Sequence, residues 1–170
     1  MNRPGRAADP AALLRLAFAH HQAGRTADAR AHYRNVLALA PENPDALHLL
    51  GLIEINDGAR EAGIARIRAA LAAAPAMFTA WANLGTALRR AGQPEEALAC
   101  FARVLAASPD DADALAGTGR ALRDLGRTAE AAETLARAVA QRVKDGRPQD
   151  GSLQVALALA LQAEGRHAEA

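Results

Sequence analysis

At 170 residues the chain suffices for one compact domain or a short repeat array. Its 20 Lys and Arg against 19 Asp and Glu leave a net charge of +1, too balanced for a dedicated nucleic-acid binder. The lone cysteine, Cys100, excludes an internal disulfide framework and a cysteine-rich zinc site. No apolar run approaches the roughly 20 residues of a membrane span.

Apolar residues make up 51% of the chain but aromatics only 3%, and the apolar share is mostly alanine with leucine. That composition favours helix. It also requires a core made of many small contacts between closely approaching helices.

In chain order, residues 1–9 read as a flexible arm. Residues 11–23 are interrupted by Arg15, His20 and His21, which marks an amphipathic helix and not a secretory signal. A soluble, cytoplasmic protein is the default expectation. Leu13, Leu16, Ala17 and His20 fall at i, i+3, i+4 and i+7 and form one stripe. The stripe recurs as Leu47, Leu50, Gly51, Glu54, then Trp81, Leu84, Gly85, Leu88, then Leu115, Thr118, Gly119, Leu122. After each comes a second apolar pattern with a small residue (Ala29, Gly63, Ala97, Ala131) and a larger one (Tyr33, Ile67, Phe101, Leu135). Small residues facing large ones describe ridges packed into grooves.

The interval is constant. Gly24, Gly58, Gly92 and Gly126 are each 34 residues apart, as are Pro41, Pro75 and Pro109. The glycines sit where a tight turn joins two helices, and the prolines help to end each pair. Asn43-Pro44 and Gln93-Pro94 place proline at a first helical position, and Thr26 and Thr128 are expected N-caps. Four units follow, 10–43, 44–77, 78–111 and 112–145. Glu54 and Gly63 predict looser packing in the second of them. Trp81→Ala should cost about 3–5 kcal/mol by loss of a large core side chain.

After Gly126 the next equivalent glycine, Gly165, comes 39 residues later. The excess fits an insertion at 146–150, with Gly146 ending a helix that runs to about Asp145. Residues 151–170 read as an incomplete fifth unit, because Gly165-Arg166-His167-Ala168-Glu169-Ala170 nearly repeats Gly126-Arg127-Thr128-Ala129-Glu130-Ala131. The preceding segment, 153–162, has little polar face. Solenoid ends are normally polar, so the sequence is expected to continue into a longer array or to be covered, including by self-association into a homo-oligomer.

Trp81-Ala82-Asn83-Leu84-Gly85, with Gly92, Ala97, Phe101 and Pro109, resembles the tetratricopeptide motif, Leu88 replacing its usual tyrosine. The resemblance covers nearly everything after residue 9. It implies an all-α fold, a right-handed α-solenoid of antiparallel helix hairpins, and a protein-interaction scaffold that binds a protein or extended peptide in a concave groove. It places Phe18, His48, Leu52, Asn83, Thr86, Arg89, Arg120 and Arg123 on that groove. The apolar residues would meet an apolar part of the ligand and the arginines an acidic part. A chaperone-tail carboxylate clamp is disfavoured by Leu14 and Phe18 in the first unit, and an asparagine ladder would need more than Asn83. Residues 43–53 also look like repeats preceding bacterial glycosyltransferase or sulfotransferase domains, which makes a recognition arm of such an enzyme the alternative reading.

No catalytic, cofactor or metal constellation stands out. His20 and His21 point about 100° apart on a helix and cannot share a metal. His32, His48 and His167 lie on other helices, and Cys100 reads as a small buried thiol. The expectation is no enzyme, no cofactor, no nucleic acid and no membrane partner.

Overall fold

The computed structural model describes residues 9–148, 150–163 and 165. The expected arm at 1–9 and the second helix of a fifth unit therefore lie almost wholly outside the described residues. Nine helices account for the regular structure among the described residues: α1 (Pro10–Gln22), α2 (Thr26–Leu39), α3 (Pro44–Asn56), α4 (Arg60–Ala73), α5 (Phe78–Arg90), α6 (Pro94–Ala107), α7 (Ala112–Asp124), α8 (Thr128–Lys144) and α9 (Gly151–Ala163).

Each hairpin turn closes by the same backbone device. Gly24, at φ +70°, donates its N–H to His21 O, and Arg25 N–H bonds to His20 O. This is a Schellman closure, and the left-handed residue at its centre is best served by glycine. The same pair of bonds recurs at Gly58, Gly92, Gly126 and Gly146. Thr26 and Thr128 are not N-caps. They are the first helical residues, while Arg25 and Arg127 hold the cap positions without a side-chain bond. The turn is so short that one residue both closes the first helix and opens the second. The side-chain caps belong instead to the looser connections. Asn43 accepts from Ala46 N at 2.9 Å, Asp111 from Ala114 N at 2.8 Å and Asp9 from Ala11 N at 3.0 Å.

Backbone contacts gather the chain into two compact units, 1–76 and 77–170. In the first, α1 pairs with α2, α3 with α4, and α2 with α3. Its core joins Ala17, Ala29, Tyr33 and Val36 to Ala46, Leu50 and Ile53. Leu16 departs from the expected stripe, being 44% exposed where its equivalent Leu50 is 1% exposed. Leu50 is covered by Tyr33 and Val36 of the preceding hairpin, and no helix precedes α1 among the described residues.

Repeat two is tightly packed, contrary to the looser packing expected. A methyl group added at Gly63 would lie 2.5 Å from the Gly51 carbonyl oxygen and 2.5 Å from Ile55 Cγ1. The missing side chain lets the two backbones touch and gives Ile55 its seat. Glu54, on a nominally apolar column, receives Arg66 Nε at 2.8 Å.

In the second unit, α5 pairs with α6, α7 with α8, α6 packs on α7, and α9 packs on α8. Phe101 lies between two glycines, since a methyl group at Gly85 would meet its ring at 2.9 Å and one at Gly117 at 2.4 Å. Gly117 is thus buried. Trp81 is only half-buried, with Arg103 stacked 5.6 Å above its ring. The expected cost of its removal falls accordingly below the range for a buried aromatic. α8 ends at Lys144 and Gly146 takes φ +65°, so the connection to α9 begins with another tight turn.

Candidate functional site

On the first unit, Phe18 is 36% exposed and contacts Tyr33 edge-to-face at 6.2 Å, and Leu52 is half-buried on α3. His48 lies beneath this surface, 7% exposed. Burial pushes its pKa below the usual histidine value, with nearby Asp45 partly opposing. His48 is thus buried where Phe18 and Leu52 remain accessible. Burial and the Asp45 carboxylate push the Tyr33 hydroxyl up to about 12. His21 Nδ1 stands 3.4 Å from that hydroxyl. His20 stacks on His32 with ring centroids 5.0 Å apart, a pairing across two helices that their spacing in the sequence does not announce.

On the second unit the structure brings Arg89, Arg120 and Arg123 together. Arg89 reaches Asp124 at 2.8 Å and Arg123 approaches the same carboxylate at 3.6 Å. Arg120 donates to Ser152 Oγ at 2.9 Å and stands 3.7 Å from Asp150. Its pKa is depressed, first by desolvation and then by the neighbouring Arg89, Arg123 and Arg142, while Asp150 opposes. Three guanidiniums therefore share two carboxylates, and most of their N–H donors face elsewhere. Asp124, Asp150 and Ser152 are the residues that sequence reasoning missed. Their signal is an offset near the repeat length, since Arg89 and Asp124 are 35 residues apart and Arg120 and Ser152 are 32 apart. Residues one period apart occupy neighbouring first helices.

Beside the arginines a cleft of about 350 Å³ opens along α5. Ala82, Asn83 and Thr86 line it over a floor of Phe101 and Val104. Two of the expected groove residues, Asn83 and Thr86, thus lie at one concavity. Asp113, at its other end, is held by Arg142 at 2.9 Å and Arg147 at 3.0 Å. Among the described residues, no three His, Cys, Asp or Glu side chains are placed to hold a metal ion, and no helix is long and apolar enough to cross a membrane.

Models of the tetratricopeptide repeat match residues 48–112, 83–146 and 118–170, and a further one matches 10–53. The chain belongs to the tetratricopeptide repeat family. Several solved structures of MamA share its fold. MamA from Desulfovibrio magneticus RS-1, from its residue 41 onward, gives a TM-score of 0.83 at 21% identity, covering 96% of this chain and 90% of that one. MamA AMB-1 gives 0.76 at 25% identity over 94% and 85% of the two chains. MamA MSR-1 gives 0.77 at 22% identity over 94% and 89%. No curated protein matches by sequence. The tetratricopeptide architecture supports a protein-interaction scaffold.

Proposed function

We propose that this tetratricopeptide scaffold receives an extended, acidic segment of a partner protein on the α5 and α7 face of its second unit. Arg89, Arg120 and Arg123 would take the partner's carboxylates. The observation that supports this reading is the imbalance of three guanidiniums against Asp124 and Asp150. A guanidinium has five donors in a planar fork that suits a carboxylate, and here most of those donors are unspent. The apolar surface at Phe18 and Leu52 of the first unit would, by itself, suit an apolar segment of a partner. Fluorescence anisotropy with a labelled glutamate-rich peptide tests the acidic part. Arg120→Glu and Arg123→Glu should each weaken binding at least tenfold, and added salt should weaken it in the unaltered protein. Unchanged affinity in both variants would remove the acidic-ligand reading.

A second reading has its own observation. Val143, Val155 and Leu159 are 58%, 59% and 48% exposed on α8 and α9, an apolar surface suited to self-association. The two readings use different residues of one unit.

A further inference from the structure

The cleft and the arginines together define a spacing. We infer that the partner segment carries one large apolar side chain that enters the cleft, with an acidic residue about three positions away along an extended chain. This rests on the acidic-segment reading proposed above and adds the apolar anchor and its distance.

The cleft's floor is apolar, since Phe101 and Val104 are buried and contribute only ring and methyl surface there. Its volume of about 350 Å³ falls in the range of clefts, roughly 300–1,000 Å³, that enclose compact ligands. That is room for one large side chain and its flanking backbone. Thr86 spends its hydroxyl proton on the Ala82 carbonyl at 3.1 Å and keeps lone pairs to accept from a peptide N–H.

Charge complementarity fixes what lies beside the anchor. Asn83 and Arg89 both lie on α5, six residues apart, a rise of about 9 Å. An extended peptide advances about 3.3 Å per residue, so three residues bridge that distance. At the opposite end two carboxylates line the cleft: Arg142 and Arg147 pair with Asp113, and Asp111 accepts from the Ala114 amide as the α7 N-cap.

The test uses the full chain and labelled synthetic peptides in which one leucine and an aspartate pair, separated by two, zero or six serines, sit in a serine background. Both chain directions are made, each with a leucine-to-serine control. With the two-serine spacing, the leucine peptide should bind at least tenfold tighter than its control, in one direction. Ala82→Leu, at a half-exposed helical position, should fill the cleft and abolish that advantage. It should leave the weak, salt-sensitive binding that Arg120→Glu removes, and circular dichroism checks that both variants fold. Equal binding of leucine peptide and control, no dependence on spacing, or an advantage undiminished in Ala82→Leu would overturn the inference while leaving acidic recognition standing. Binding by no peptide, or binding indifferent to Arg120→Glu, would overturn both.

Discussion

Gly63 occupies a column where tetratricopeptide repeats favour alanine, yet alanine does not fit. The added methyl would meet the Gly51 carbonyl oxygen, a backbone atom that cannot swing aside, at 2.5 Å. Overpacking costs about 1–3 kcal/mol, which outweighs the roughly 1 kcal/mol that alanine gains in helix propensity. Gly63→Ala should therefore lower the urea midpoint, and a raised midpoint would show that the helix pair has slack. Tyr33 offers a second test, because it is the only tyrosine. Its folded pKa, about 12, exceeds the ordinary 10.0, so the native state keeps a proton that the unfolded chain releases. The associated stability is complete below pH 10 and is lost as pH rises through the folded value. Absorbance at the tyrosinate band should thus titrate well above the ordinary value in the folded protein. A midpoint near the ordinary value, with the fold intact, would contradict the burial of Tyr33.

At the scale of elements, the two kinds of connection differ in what they ask of side chains. The glycine turns satisfy their orphan groups with backbone bonds and leave Thr26 and Thr128 uncapping. The connections before α3 and α7 are longer and rely on Asn43 and Asp111, whereas Met77 before α5 makes no side-chain cap bond. Replacing Asn43 by alanine orphans the Ala46 amide and should cost about 1 kcal/mol, whereas aspartate should be nearly neutral. Denaturant melts of the two variants make the comparison, and an equal loss in both would assign Asn43 another role. α9 shows how an element's face depends on its neighbour. Its alternating leucines and valines gave no polar side in the sequence, yet Leu153, Ala156, Ala160 and Leu161 are buried against the preceding hairpin. Val155 and Leu159 are left outward. Glutamate at both outward positions should suppress any concentration-dependent rise in mass seen by light scattering. An undiminished rise would move self-association to another surface.

For the whole molecule, the helical fold and the turn positions were legible in the sequence, since a glycine or proline at constant spacing acts on its own backbone. The tetratricopeptide columns also carried the small-against-large packing, because Gly85 and Phe101 are complementary wherever two such helices meet. The site was only partly legible. Asn83, Thr86, Arg89, Arg120 and Arg123 were visible as columns, but a column does not reveal depth. His48 proved buried and Leu16 exposed because coverage depends on which hairpin lies alongside. Nor does a column reveal partners. Asp124 and Asp150 meet the arginines only after helices distant in sequence are stacked, and only then does the balance of charge at the surface exist. Local backbone chemistry was thus written residue by residue, while burial and charge pairing, being properties of neighbours, were decided by the tertiary structure.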